Sequence, residues 1–241
     1  MSLGTVNGVE YKLITKEYVE DALRMPVLNK LNNLIPLGVG MLEEDGAMEE
    51  LLSAFRETLK HGATLIGVDK ETNKVVAVAF NRIQARLASS SGNIQVSNDL
   101  KHQSCQNVMI FVNDITSKVD IFKRYNAHGA MRMFFLVTHP GYQGRGIGLQ
   151  MAQKCIEFAR GLLNGTMKRV SIDGPVANPD VLPELLYAVF ASNYSQKIAN
   201  KLGFETLFVA RYDDYTFGGK KMSERIGDKH KTATLQVLKL M

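Results

Sequence analysis

Residues 130–161, AMRMFFLVTHPGYQGRGIGLQMAQKCIEFARG, constrain the fold more than any other part of the chain. The run from Met131 to Val137 is apolar apart from Arg132, which predicts a buried strand. His139, Pro140 and Gly141 stop it, because proline has no amide to donate and glycine lets the backbone turn. Beyond Gly148, Met151, Ala152, Cys155, Ile156, Ala159, Leu162 and Leu163 share one face at helical spacing. The glycines Gly144, Gly146 and Gly148 therefore lie between a central strand and an amphipathic helix. Without Cβ atoms they let a ligand approach the main chain. The first turn of a helix presents unpaired amides that suit phosphate oxygens, and Arg145 adds a cation at the rim. A tightly packed connection that binds nothing has the same composition.

Two phosphate loops do not fit. A nucleoside-triphosphate loop ends in Gly-Lys-Ser or Gly-Lys-Thr, whereas Gly148 is followed by Leu149 and Gln150. The dinucleotide fingerprint would need its third glycine at position 149, which is leucine. The pattern Gln143-x-x-Gly146-x-Gly148 instead resembles the Gln/Arg-x-x-Gly-x-Gly/Ala acyl-coenzyme A loop of the GNAT superfamily of N-acetyltransferases. Lys201-Leu-Gly-Phe204 resembles a second signature of that superfamily. Ser195-Gln-Lys, ahead of Lys-Leu-Gly-Phe, is similar to the insect arylalkylamine (dopamine-like) branch.

The 241 residues suffice for a substantial core, and 45% hydrophobic with 22% charged residues is ordinary globular composition. No apolar run is long enough for a membrane span, and the first residues lack the pattern of a secretory signal. Cys105 and Cys155 form neither a disulfide framework nor a zinc set, so no metal is expected and a reducing, cytoplasmic setting is the simplest reading. A net charge of +5 is compatible with an anionic cofactor without demanding nucleic acid. The densest basic segment, residues 220–231, is diluted by Glu224 and Asp228 and reads as a solvated loop.

Along the chain, a strand is expected at 10–14 and a helix from Thr15 that Pro26 kinks or interrupts, with Val27, Leu28 and Leu31 continuing it. A second amphipathic helix follows Gly46, then a hairpin of strands at 64–68 and 75–83. Residues 88–98 read as a surface loop. Residues 99–126 read as a helical insertion, with a short buried strand at 108–112 as the alternative. Residues 164–183 are a loop-rich excursion with one short strand at 169–172. Strands at 184–191, 205–212 and 232–240 and a helix at 194–202 complete one α/β domain over residues 1–241. Its mixed sheet has about seven strands. By the resemblance, the sheet splays between two parallel central strands ending at Thr138 and Ala191, and the insertion either covers an acceptor pocket there or merely packs on the sheet.

The resemblance implies acetyl transfer from acetyl-coenzyme A to a small-molecule amine, an arylalkylamine being the candidate, by direct attack in a ternary complex. The cofactor would contact Leu136, Val137, Thr138, Gln143, Gly144, Arg145, Gly146, Ile147 and Gly148. The insect branch carries an acidic Asp-Glu-Pro-Leu stretch after its first helix; here it is Leu34-Ile35-Pro36-Leu37, and Ile35 cannot accept a proton. Glu43 and Glu44 are the candidate replacements, although a charge pair before a helix is ordinarily solvated. His139 titrates near neutral pH but is placed to serve the turn. The tyrosine of many members is replaced by Ala199, which leaves Ser195, Ser192 and Tyr194 as candidate acids; Ser192 also reads as a helix cap. The protein is expected to act as a monomer or weak homodimer, without nucleic-acid or membrane partners. A non-catalytic acyl-coenzyme A-binding homologue and a protein or peptide N-acetyltransferase are the alternatives.

Overall fold

A computed structural model describes residues 1–86 and 100–241. The chain opens with a hairpin of β1 (Ser2–Val6) and β2 (Val9–Leu13). Asn7 and Gly8 both take positive φ, 49° and 79°, the two-residue turn geometry that matches strand twist. β2 matches the expected first strand within a residue, and β1 is additional. In α1 (Val19–Leu28) Pro26 sits in the last turn; the helix stops at Leu28 and Lys30–Asn32 form a 3-10 turn instead of continuing it. α2 (Leu34–Gly38) and α3 (Ala47–Thr58) follow, and α3 buries Leu51 and Phe55. β3 (Leu65–Asp69) and β4 (Val75–Ala85) form the expected hairpin.

The loop expected at 88–98 lies outside the described residues. The insertion is helical: α4 (Gln103–Ser117) and α5 (Ile121–Tyr125). Phe111, Val112 and Ile115 are buried along α4, which rules out the strand alternative at 108–112. The centre of the molecule is β5 (Gly129–Thr138), α6 (Ile147–Leu163), β6 (Leu185–Phe190) and α7 (Asn193–Lys201). Residues 169–172 form no strand. Instead the Arg169 guanidinium donates to the carbonyls of Ala177 (2.7 Å) and Pro179 (2.9 Å), so a side chain rather than a ladder fixes this excursion. β7 (Glu205–Arg211) is followed by a small ribbon of β8 (Thr216–Phe217) and β9 (Lys220–Lys221), then α8 (Met222–Ile226) and β10 (Thr232–Lys239). The basic segment thus holds β9 and α8 rather than a plain loop, and its lysines at 220, 221, 229 and 231 are exposed while one arginine is not. The Arg225 side chain is only 8% exposed and pairs with Glu43 at 3.0 Å.

Among the described residues the main sheet has eight strands in the order β1-β2-β3-β4-β5-β6-β10-β7, one more than expected. Only β5 and β6 run parallel; every other neighbouring pair is antiparallel. One face packs against α1, α3 and α4, and the other against α6 and α7. On α6, Met151, Cys155, Phe158 and Ala159 are fully buried, and a buried Phe or Met contributes about 1.5–3 kcal/mol. That anchorage holds the N-terminus of α6 rigidly at the end of β5. Both cysteines are free and buried, and burial pushes each thiol up to about 12, as suits core packing rather than reactivity.

Candidate active site

β5 and β6 pair only from Ala130 with Leu185 to Arg132 with Tyr187. Beyond that point both strands continue, to Thr138 and Phe190, without pairing each other. The cause is visible on the other side of β5. Phe80 of β4 opposes Phe135 and Asn81 opposes Met133, which leaves Phe134 as the extra residue of a bulge. A bulge bends its strand and raises the local twist, and here it carries β5 away from β6. It also turns Phe134 and Phe135 toward the same helix, where their ring centroids lie 5.4 and 4.9 Å from that of Phe55.

The opening between the strands holds a cavity of about 200 Å³. Its walls are mainly apolar, with Ile35, Phe55, Val112, Phe134, Leu136 and Phe190 among them. Ile35 belongs to α2 and Val112 to α4, so the insertion does cover the opening. Ser192 and Ser195 line the wall where β6 passes into α7, and Arg132 lines it where the strands separate. Among the described lining residues Arg132 is the sole ionisable side chain.

At the other end of β5, the chain makes a 3-10 turn over Pro140–Tyr142 in which His139 Nδ1 accepts from the Gly141 amide at 3.1 Å. His139 therefore serves the turn. Gly144 and Gly146 each have φ of +78°, and a Cβ built on either meets nothing within 4 Å. Gly146 precedes the first turn of α6, which has no side-chain cap and no acidic residue. The result is a cradle of backbone with outward amides, and the exposed Arg145 stands beside it over the Tyr142 ring at 4.8 Å. Gly148 serves packing instead: a Cβ there would touch Thr138 Oγ1 at 3.5 Å and Ile198 Cδ1 at 3.6 Å. Gln143 Nε2 donates to Asn29 Oδ1 (3.1 Å) and lies 3.4 Å from the Thr138 carbonyl, tying the loop to the end of α1. Leu136 lines the cavity, Val137 is buried on the sheet and Thr138 is half-buried.

The remaining candidates divide. Ser192 and Ser195 form a capping box: Ser192 Oγ accepts from the Ser195 amide and Ser195 Oγ from the Ser192 amide, each at 3.1 Å. Tyr194 is 58% exposed, packs edge-on against His230 at 5.6 Å and does not line the cavity. Neither does Glu43 or Glu44. Arg225 grips Glu43 and holds its carboxyl below the usual carboxylate range. Glu44 accepts from the amides of Ser104 (2.8 Å) and Gln103 (3.1 Å) at the start of α4, and Ser104 holds its pKa down as well. Groups so committed are poor proton acceptors near neutral pH. Neither glutamate is thus brought to the cavity, whereas Ile35, which stands where the resemblance places the base, does line it. Arg132 was visible in the sequence as the one polar residue in an apolar strand, but nothing local indicated that it would face a cavity.

A sheet opened between two parallel strands, with an amide cradle at the end of one, is a mixed α/β fold with a ligand-sized opening at its centre. The model of the acetyltransferase (GNAT) family matches residues 42–182, and the chain belongs to that family. A structure assigned as insect arylalkylamine N-acetyltransferase 7, from the yellow fever mosquito Aedes aegypti, is similar with 18% identity and a TM-score of 0.73 over 97% of this chain and 88% of that one. Arylalkylamine N-acetyltransferase 2 from Aedes aegypti is 16% identical with a TM-score of 0.72, over 98% of this chain and all (100%) of that one. A polyamine N-acetyltransferase from Drosophila melanogaster, which forms N-acetylagmatine, is 15% identical with a TM-score of 0.68 over 96% and 99% of the two chains. At such identities the likeness is one of fold. No curated protein matches the sequence.

Proposed function

We propose that this protein is an acetyl-coenzyme A-dependent N-acetyltransferase acting on a small primary amine, with arylalkylamines the first class to test. The observation that carries the reading is the cavity of about 200 Å³ in the β5–β6 opening, lined by Leu136 of β5 and by Ser192 and Ser195 at the start of α7. The open glycines at 144 and 146 and the uncapped first turn fit a pyrophosphate. Main chain of Leu136, Val137 and Thr138 on the unpaired edge of β5 fits the amides of a pantetheine arm, and amides there would polarise a thioester carbonyl. When bound, acetyl-coenzyme A supplies the activated acyl group.

The chain's own residues then have two tasks. The first is to present the amine uncharged. The apolar walls and the cation at Arg132 both disfavour an ammonium group, so the acceptor loses its proton to water on entry, without a side-chain base. The second is to protonate the leaving thiolate as the C–N bond forms and the C–S bond breaks. Ser195 Oγ, 2.9 Å from the Ser192 carbonyl and 3.0 Å from Ser192 Oγ, is the donor we assign. Two buried reduced cysteines are in keeping with a cytoplasmic site of action.

Thiol release from acetyl-coenzyme A over a panel of aryl- and alkylamines, polyamines and peptides tests this. Turnover with small amines supports it. The lack of a carboxylate or imidazole among the described lining residues favours a second reading, a non-catalytic acyl-coenzyme A-binding protein; cofactor binding with no thiol release on any amine would establish that instead.

A further inference from the structure

Arg132 is the last β5 residue paired with β6, opposite Tyr187, and so stands at the closed end of the cavity. It is 4% exposed, yet it lines that cavity. Its near neighbours are aromatic faces, the ring centroids of Phe134 at 5.7 Å and Tyr187 at 5.9 Å. Among the described residues no carboxylate pairs with it, and burial lowers its pKa with only the Tyr187 phenol in opposition. Directly across the β4–β5 ladder lies Arg82. The Arg82 guanidinium sits over Phe134 at 4.2 Å and donates from Nη2 to the Ala54 carbonyl at 3.1 Å, while its buried Nε has no partner. Glu57, the acidic residue that acts on Arg82, is solvent-exposed and bonded to Lys60 at 2.9 Å.

Two guanidinium groups thus face each other across one ladder, and among the described residues neither forms an ion pair with a carboxylate. Like charges at opposed positions destabilise a sheet, and a buried charge without a partner is costly. A planar guanidinium is also suited to gripping a carboxylate with two parallel hydrogen bonds. Among the described residues the rest of the cavity lining offers an anion no other charged partner.

We propose that Arg132, with Arg82 behind it, is an anion subsite that takes a carboxylate carried by the amine acceptor, so that the substrate class is amino acids rather than simple amines. This rests on the transferase reading above. A dicarboxylic acyl group on the donor would bring the same chemistry to the same place, and the experiment separates the two sources.

The experiment compares kcat/KM for matched pairs that differ only by the carboxylate, tyrosine with tyramine and tryptophan with tryptamine. A second arm compares succinyl- with acetyl-coenzyme A on tyramine. Binding of each amine is followed separately by thermal shift. The wild-type protein should prefer the carboxylated acceptor by roughly 10- to 100-fold, the worth of a charge-assisted hydrogen-bonded pair. The preference should fall toward unity in Arg132→Met, mainly through acceptor KM, and survive in part in Arg132→Lys. Should Arg132→Met fail to fold, Arg132→Gln carries the same reading. A preference for succinyl-coenzyme A that Arg132→Met abolishes would overturn the acceptor assignment and move the carboxylate to the donor. Turnover with no preference in either arm, or a preference that Arg132→Met leaves intact, would overturn the subsite and leave the transferase standing. Arg132-dependent binding of the amino acid without thiol release would keep the subsite and remove the transferase.

Discussion

Ser192 Oγ and Ser195 Oγ lie 3.0 Å apart on the cavity wall, and the same pair closes the N-terminus of α7. Their two duties can be separated. Ser192→Ala removes the N-cap acceptor and should cost about 1 kcal/mol of stability. Ser195→Ala leaves that cap bond in place, because it comes from the Ser195 amide. It should lower kcat by roughly 100-fold, the usual scale for losing a general acid, with a smaller change in melting temperature. Equal losses of stability with unchanged kcat would show both serines to be structural.

The cradle makes a second test. Gly146 holds φ of +78° as the residue before α6, a conformation that costs about 1–2 kcal/mol for a residue with a side chain. Gly146→Ala also places a methyl group where a phosphate would approach. KM for acetyl-coenzyme A should rise by roughly tenfold or more, tenfold being the equivalent of about 1.4 kcal/mol. Gly148→Ala should change it less, since a Cβ there makes ordinary contacts and needs no positive φ. Equal effects at both positions would remove the cradle argument.

With no carboxylate or imidazole among the described lining residues, the pH dependence of kcat/KM should belong to the substrate. It should rise with unit slope up to the pKa of the amine, and the inflection should move when an amine of different basicity is used. An inflection that stays fixed across amines would reveal a base on the protein. Ile35→Glu should create such a fixed inflection, because Ile35 lines the cavity.

α4 is fastened over the cavity by two carboxylates. Glu50 accepts from the amides of Lys101 (2.7 Å) and His102 (3.0 Å), and Glu44 takes the next two amides. At Glu50 burial works against the charged form, but these hydrogen bonds outweigh it and bring the pKa from 4.5 to about 2. Because the folded value is the lower one, this contribution is complete above the ordinary value and disappears as pH falls toward 2. Glu50→Gln should therefore destabilise the protein at neutral pH, by on the order of 1 kcal/mol. The difference from wild type in urea midpoint should vanish near pH 2. A difference that persists there would mean that the carboxylate's charge is irrelevant.

Much of the frame is legible in the sequence for a physical reason: its signals are short-range. An apolar run, three glycines and a helical stripe dictate β5, the cradle and α6 from about thirty neighbouring residues. The serines of the capping box are three positions apart and act on their own backbone. The Asn7–Gly8 turn that joins β1 to β2 is equally local. The absence of a strand at 169–172 and the burial of Arg225 instead depend on partners elsewhere in the chain.

The site divides in the same way. Its cradle follows from the conformational freedom of glycine and the unpaired amides of a helix start, which any chain with that local sequence would possess. The duties of its charged groups do not. Glu43 and Glu44 are adjacent, yet one is held by Arg225 and the other by the start of α4. Arg132 looks like a flaw in an apolar strand until the bulge at Phe134 parts β5 from β6 beside it. Hydrogen-bond patterns within a few residues are written in the sequence. Burial and charge are set by whatever else folds against a group, and only the tertiary structure decided that Arg132 faces a cavity and that the two glutamates do not.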